Sequence, residues 1–272
     1  MAIFGNSWIP LILCILVAAY KNLPFVWLIR FLRALITRLF IIPITKKQLS
    51  PECLFSPSIH RTRSPLTECD YNIHKSNSTY FTDLDISRGN LSLLLFSQRL
   101  SFRPTPKTAV MILSGVQIVF RREIKPYQGY EVWSRVLSWD EKWIYLVSHF
   151  VKRGAFSPGR FLLQAKTPGD RRLPKCGGEP EKQVFASAVS RYVFKQGRKT
   201  FPPERMLIEC GLLPPEDSVS EGEGRAIWIA IEERRKRDLE AAQLKLGWDA
   251  VHNTFDGDTT KILGRYTDLL WR

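Results

Sequence analysis

The chain has 272 residues, of which 44% are hydrophobic and 24% charged, a composition typical of a folded globular protein rather than a disordered one. Its formal net charge of +14 is concentrated beside an apolar N-terminal segment, which favours a membrane surface over nucleic acid as the partner. Five cysteines without CxxC spacing argue against a disulfide framework or a zinc site, and we expect no metal and no other cofactor.

The N-terminal segment is apolar and uncharged over residues 3–20. A stretch of this length can just cross a bilayer core of about 30 Å. Its basic flank follows the apolar run instead of preceding it, which favours an uncleaved, single-pass transmembrane anchor over residues 1–22, with the rest of the chain in the cytosol. An internal membrane such as the endoplasmic reticulum is the expected location. A cleaved signal peptide is the alternative.

A second apolar segment, residues 23–44, carries Arg30, Arg33 and Arg38. On a helix these three side chains fall within an arc of about 140°. This pattern predicts an amphipathic helix that lies in the membrane interface with its guanidinium groups toward the lipid headgroups. Residues 45–63 are rich in Pro, Ser and basic side chains and are predicted to form a linker, with the folded domain beginning at Ser64.

The remaining chain alternates one predicted helix with a set of predicted strands. Apolar residues recur at helical spacing over 77–96, although Gly89 interrupts the pattern. Apolar and polar residues alternate in the predicted strands 115–124 and 130–140, and two further strands are predicted at 142–154 and 184–197. The first three are predicted to form a meander. The order predicts an α+β domain over residues 64–210, one helix on an antiparallel sheet. A C-terminal helical extension follows at 211–272, with a helix at 224–247.

Three polar side chains precede the predicted helix at a spacing of two residues: Asp70, Asn72 and His74. In an extended or looped chain this spacing projects them in the same direction. Asn77 is predicted to cap the helix, whose N-terminus offers unpaired backbone N–H groups. A carboxylate, an imidazole and such donors fit the hydrolysis of a thioester, which needs a base or nucleophile and a site for the developing oxyanion.

The segment D-Y-N-I-H-K-S-N-S-T-Y, from Asp70 to Tyr80, resembles the motif D-x-N-x-H-x-N-N-x-x-Y of hot-dog-fold thioesterases. Plant acyl-ACP thioesterases and the four-hydroxybenzoyl-CoA thioesterase superfamily carry versions of it. Ser76 departs from the motif by replacing the first Asn of the pair. With its predicted anchor, the chain is also similar to the membrane-anchored thioesterase superfamily member 6 type and to fungal thioesterase-like proteins of secondary-metabolite clusters.

The resemblance implies a hot-dog fold, an antiparallel sheet wrapped on a central helix, that hydrolyses an acyl-CoA or acyl-carrier-protein thioester in secondary-metabolite or lipid biosynthesis. Asp70 would act as general base or nucleophile, Asn72 would orient it or the acyl group, and His74 would assist. Asn77, through nearby backbone N–H groups, and Tyr80 would bind the substrate. The resemblance also implies a homodimer with the active site at the interface.

Two other functions on the same fold stay open. Enoyl-thioester hydratases carry D-x-N-P-x-H, whereas this chain has D-Y-N-I-H, which favours hydrolysis. A non-catalytic lipid-binding protein is the second alternative, because a fold does not fix a function. Asp83 and Asp85, two further carboxylates on the predicted helix, are expected on its solvated surface.

Overall fold

The computed structural model describes residues 8–100, 108–164, 180–215, 223–246, 251, 253–255, 257 and 260–267. The α-helices in these ranges are α1 Trp8–Ala18, α2 Val26–Ile36, α3 Tyr80–Phe96, α4 Pro203–Cys210 and α5 Glu223–Ala242. The strands are β1 Ser58–Arg63, β2 Val110–Phe120, β3 Gly129–Trp139, β4 Ile144–Lys152, β5 Arg160–Phe161, β6 Val184–Gln196, β7 Lys199–Phe201, β8 Lys261–Ile262 and β9 Gly264–Thr267.

One large sheet holds the fold together, with the strand order β2-β6-β4-β3-β1-β9 and β7 paired with β6. All of its pairs are antiparallel except β1 with β9, and α3 packs against one face. The predicted α+β hot-dog architecture is therefore confirmed. The predicted meander is wrong at its start, because β2 pairs with β6 and not with β3. The segment between β2 and β3 bonds to the chain around the start of the domain and does not form a hairpin. Ile124 O accepts a bond from the Lys75 N–H at 2.8 Å, and the Tyr127 N–H donates to Ser64 O at 2.6 Å.

The central helix α3 is packed against other elements on opposite sides. On the sheet side, Ser87 Oγ lies 2.8 Å from Ser134 Oγ, which lies 2.7 Å from Ser148 Oγ. On the other side α2 crosses at Gly89, where an added Cβ would lie 3.0 Å from the ring of Phe31. Small polar residues thus let the sheet approach α3, and the glycine lets α2 approach it.

The segment predicted to be a linker belongs to the folded core. Residues 58–63 form β1, which lies between β3 and β9, and Cys53 and Leu54 are buried in the main hydrophobic cluster. The linker prediction for residues 45–63 is therefore wrong. Its polar composition is accommodated because the strand's hydrogen bonds are satisfied by β3 on one side and β9 on the other.

Arg30 of α2 and Arg38 of the turn that follows it point into the protein instead of toward a headgroup layer, whereas Arg33 is exposed. Arg30 and Arg38 are 2% and 4% exposed, and Arg33 Nη2 donates to Thr267 O at 2.6 Å. The predicted orientation of this helix is wrong, because a buried carboxylate, Asp83, and an aromatic ring, Tyr266, attract the guanidinium groups.

The predicted membrane-spanning helix is not seen. α1 has 11 residues, and within the described part of the chain no helix combines the length and apolarity needed to span a bilayer. Residues 1–7 of the predicted anchor lie outside the described residues.

The C-terminal extension is helical only in part. α5 packs against β3 on the face of the sheet opposite α3, and Arg235 Nη1 donates there to Trp139 O at 3.0 Å. Beyond it, β8 pairs with β5 and β9 pairs with β1, both in parallel. The extension therefore contributes a strand to the main sheet as well as covering it.

Candidate active site

Asp70, Asn72 and His74 lie together on one tight turn between β1 and α3. The Asp70 N–H donates to His74 O at 3.0 Å, and the Ile73 N–H donates to Asp70 O at 3.0 Å. Ile73 has a φ of 59°, a left-handed conformation that is costly for a β-branched residue. The turn therefore holds the three predicted residues in a fixed, locally strained arrangement.

The Asp70 carboxylate is oriented from two sides. Its Oδ1 accepts a bond from the Asn72 backbone N–H at 3.0 Å, and its Oδ2 lies 3.5 Å from His74 Nδ1. The side chains of Asp70 and His74 are 25% and 27% exposed, so the pair is reachable from solvent. His74 Nδ1 also faces Lys75 O at 3.4 Å. Because both neighbours are acceptors, we assign the ring proton to Nδ1, which leaves Nε2 with its lone pair.

Asn77 lies beside the site but does not cap α3. A short 3-10 turn, Asn77–Thr79, precedes the helix, and Ser76, in an extended conformation, is the N-cap residue of this turn. The Thr79 N–H and hydroxyl both reach back to Ser76 O, at 3.0 and 2.7 Å. The predicted capping by Asn77 is wrong, because this turn starts the helix one residue earlier. The backbone N–H groups of Asn77 and Ser78 come before the first bond of the turn and are available as donors.

Tyr80 is placed in the core. It is 2% exposed, and its ring centroid lies 5.0 Å from that of Phe120 and 4.8 Å from that of Phe150. Burial, with the charge of Asp83, raises the pKa of its hydroxyl. Its predicted role in binding substrate stays a prediction, and the geometry gives it a packing role directly below the turn.

A buried ionic cluster lies under the turn, and its members are too far apart in sequence for the local pattern to indicate it. Asp83, expected on a solvated surface, is 0% exposed, and that expectation is wrong. Its carboxylate contacts Lys21, Arg30 and Lys75, each at 3.0 Å, and Tyr130 OH donates to it at 2.5 Å. Burial alone would raise the pKa of this carboxyl, but the surrounding cations and the tyrosine hold it well below its ordinary value.

Asp85 behaves differently from Asp83. Its side chain is 44% exposed and pairs with Arg88 at 2.6 Å, as expected for the helix surface. Among the described residues no three His, Cys, Asp or Glu side chains converge as metal ligands would. Two cavities, of about 310 and 470 Å³, lie on the outer face of the sheet, one lined by Trp133 and His149 and the other by Tyr145. Neither includes a residue of the Asp70 turn.

Comparison with known proteins identifies the family of this segment. Residues 64–209, more than half of the chain, match the model of the thioesterase-like superfamily. The probable thioesterase atnL of Emericella nidulans is 40% identical over 280 residues, covering 91% of this chain and 88% of that protein. Thioesterase poxG of Penicillium oxalicum is 39% identical over 276 residues, covering 92% and 88%.

More distant relatives carry similar names. The probable thioesterase YBR096W of Saccharomyces cerevisiae is 36% identical over 208 residues, covering 72% of this chain and 77% of that protein. Among solved structures, the probable thioesterase YbaW of Escherichia coli matches 58% of this chain and 96% of its own with a TM-score of 0.39 and 18% identity. Because this TM-score and this identity are low, the family is assigned from the sequence matches alone.

Proposed function

The chain belongs to the thioesterase-like superfamily, and we propose that the acyl thioester it hydrolyses reacts at the turn of Asp70, Asn72 and His74. One observation carries this proposal. The Asp70 carboxylate is held by the Asn72 N–H and faces His74 Nδ1, on the turn between β1 and α3 and inside the segment that matches the family. The turn thus presents an oriented carboxylate shortly before the 3-10 turn that leads into α3.

The reaction divides between these groups. Asp70 takes a proton from the attacking water as general base, or attacks the carbonyl carbon itself as nucleophile. The backbone N–H groups of Asn77 and Ser78 stabilise the oxygen that becomes negative. In the general-base route the C–S bond then breaks, Asp70 passes the proton to the leaving thiolate, and a free acid remains. In the nucleophilic route the thiolate leaves as a mixed anhydride forms on Asp70, and a water then hydrolyses this anhydride to the free acid, which regenerates the Asp70 carboxylate and supplies the proton of the thiol. His74 orients the carboxylate through Nδ1, and Asn72 does so through its backbone.

The assay that tests this function measures free thiol released from a panel of acyl-CoA esters, together with the absorbance of an enoyl-CoA. We expect thiol release without hydration of the enoyl double bond. Hydration without thiol release would identify a hydratase, and binding without either reaction would identify a lipid-binding protein. The same panel with acyl-carrier-protein substrates distinguishes the two carriers. A role in secondary-metabolite or lipid biosynthesis stays a prediction.

Association with a membrane is supported by the outward face of the N-terminal helices. Because Arg30 and Arg38 are buried, the exposed surface of α1 and α2 is mainly apolar, with Arg33 as an exposed cation, and large exposed apolar surfaces mark membrane or protein contacts. The exposed side chains include Trp8, Ile9, Ile12, Leu13, Ile15, Trp27, Leu28, Ile29, Leu32 and Ile36. We propose a lipid surface as the partner, with the thioesterase domain on its cytosolic side.

Full-length protein is expected to pellet with membranes and to resist carbonate extraction. Leu28→Asp with Leu32→Asp, which charges the outward face of α2, should lower cosedimentation with vesicles of mixed neutral and anionic phospholipid. Leu246→Asp, at an exposed leucine outside the N-terminal helices, is the matched control and should leave cosedimentation unchanged. A full-length chain that stays soluble without detergent would refute the membrane proposal.

A homodimer joined through β2 is supported by the sheet edge. β2 ends the sheet, and Ile112 and Leu113 on it are 45% and 40% exposed. An exposed apolar edge strand readily pairs with another strand. We expect the detergent-solubilised protein to sediment as a dimer at micromolar concentration, and Ile112→Asp to shift it toward monomer. A wild-type protein that sediments as a monomer would remove the dimer from the proposal.

A further inference from the structure

A buried ion pair connects the two ends of the turn that carries the proposed site. Glu68 and Lys75 close the turn: the Ser76 N–H donates to Glu68 O at 2.8 Å, and Lys75 Nζ donates to Glu68 Oε2 at 2.6 Å. Both side chains are buried. The position of Asp70 therefore depends on how Glu68 and Lys75 are held from below.

Lys21, from a distant part of the chain, contacts the Glu68 side chain that closes the turn. It lies in a 3-10 turn, Tyr20–Asn22, between α1 and α2, and its side chain is 0% exposed. Its ammonium group lies 3.2 Å from Glu68, 3.0 Å from Asp83 and 2.9 Å from Arg63 O. The three N–H groups of this ammonium therefore meet three acceptors, which belong to β1, to the turn and to α3.

The charges of the cluster make this contact necessary. Within residues 64–209 the cluster contains two buried carboxylates, Glu68 and Asp83, against one cation, Lys75. A buried charge that lacks a partner is strongly destabilising. The N-terminal segment supplies two further cations, Lys21 and Arg30, so that the complete cluster holds three cations around the two carboxylates. The segment that matches the family is therefore electrostatically incomplete without the helices that precede it.

A second contact joins the same two parts of the chain at the surface. Asn22 Nδ2 donates to Thr67 O, and Thr67 Oγ1 donates to Asn22 Oδ1, both at 3.2 Å. Thr67 directly precedes Glu68. Two successive residues of the N-terminal segment thus contact two successive residues at the start of the turn.

We propose that Lys21 is a positioning residue for thioester hydrolysis, which binds Glu68, Asp83 and β1 together and so fixes the turn that carries Asp70 and His74. The inference rests on the proposed site. It means that the N-terminal helices, which we propose contact lipid, also set the geometry of the reacting groups. Displacing the helices displaces the turn, because Lys21 and Asn22 are its supports.

The test compares two substitutions of buried cations in the N-terminal segment of the full-length protein. Lys21→Met removes the ammonium group under the turn. Arg38→Met, the matched control, removes a guanidinium that lies 4.2 Å from the centroid of Tyr266 on β9. We expect Lys21→Met to lower kcat on the best acyl-CoA by about tenfold or more, since a displacement of about 1 Å can cost about 100-fold. KM should stay within about twofold, and Arg38→Met should keep both values.

Three further measurements make the outcome decisive. Unfolding curves establish that both variants are folded at the assay temperature. Lys21→Arg, which retains the charge, should recover part of kcat. If Lys21→Met does not fold, Asn22→Ala, at an exposed contact, should still lower kcat by about twofold or more without a change in stability. Wild-type kcat in a folded Lys21→Met protein, or an equal loss in Arg38→Met, would refute the inference. Failure of the proposed site is a separate result, since it would leave Asp70→Asn active.

Discussion

Asp70→Asn is expected to lower kcat for the preferred acyl thioester by at least about 100-fold, the range for loss of a general base or more. Asparagine keeps the shape of the side chain and an oxygen that accepts the Asn72 N–H bond, but it neither takes a proton nor attacks the carbonyl. KM should change little, because the carboxylate acts mainly in the transition state. Steady-state kinetics on the substrate found with the acyl-CoA panel provides the measurement.

Two comparisons make that result specific. Asp85→Asn, at a carboxylate on the helix surface, should retain turnover near that of the wild type. His74→Ala should slow the reaction by less than Asp70→Asn does, because its ring orients the carboxylate. Asp70 is partly exposed, so its substitution should cost no more than about 1 kcal/mol of stability. Near-normal turnover in a folded Asp70→Asn protein would exclude Asp70 from the chemistry.

Asp83→Asn is expected to lower the free energy of unfolding by about 3–5 kcal/mol. The substitution leaves Lys21, Lys75 and Arg30 buried around a neutral amide. Urea unfolding of the full-length protein at neutral pH measures the loss. Asp85→Asn is again the control, since a half-exposed ion pair contributes about 1 kcal/mol or less. Equal stability of the two variants would contradict the role of Asp83 as the centre of the cluster.

The same substitution should change how stability depends on pH. The pKa of Asp83 lies well below its ordinary value of 3.8 because of the cations and the Tyr130 hydroxyl around it. The carboxylate therefore makes its full contribution to the free energy of unfolding above the ordinary pKa of 3.8. This contribution is lost as the pH falls from there through the lower pKa of the folded state. The difference in stability between the wild type and Asp83→Asn should narrow below about pH 4. A difference that stays constant to pH 2 would show that the carboxylate charge is not the source of the stability.

Local sequence was sufficient where one stretch of chain determines its own structure. The strands β3, β4 and β6 were each predicted within a few residues of their bounds. Asp70, Asn72 and His74 were predicted to lie together, and they do so because they are close in sequence and share a single turn; their role in catalysis stays a prediction. The hot-dog fold and the thioesterase activity were predicted correctly from the resemblance of the segment from Asp70 to Tyr80 to a family motif.

Features that depend on distant partners were not predictable in the same way. β1 reads S-I-H-R-T-R, a polar stretch that becomes a strand only because β3 and β9 satisfy both of its edges. Asp83 differs little from Asp85 in sequence, yet it is buried by cations 8, 53 and 62 residues away. α3 is covered on opposite sides by segments that are distant in sequence, so the helical spacing of its apolar residues did not show which of its polar residues would be buried.

The two edges of the main sheet differ in a way that limits assembly. On β9, the Arg265 N–H is bonded to Gln164 Oε1 at 2.7 Å, and Thr267 O accepts from Arg33 Nη2. Side chains thus occupy the backbone groups through which a further strand would add. β2 has no comparable cover among the described residues. The dimer proposed through β2 would therefore stop at two copies, because its outer edges are the occupied β9 strands, and the same pairing would offer no route to a fibre.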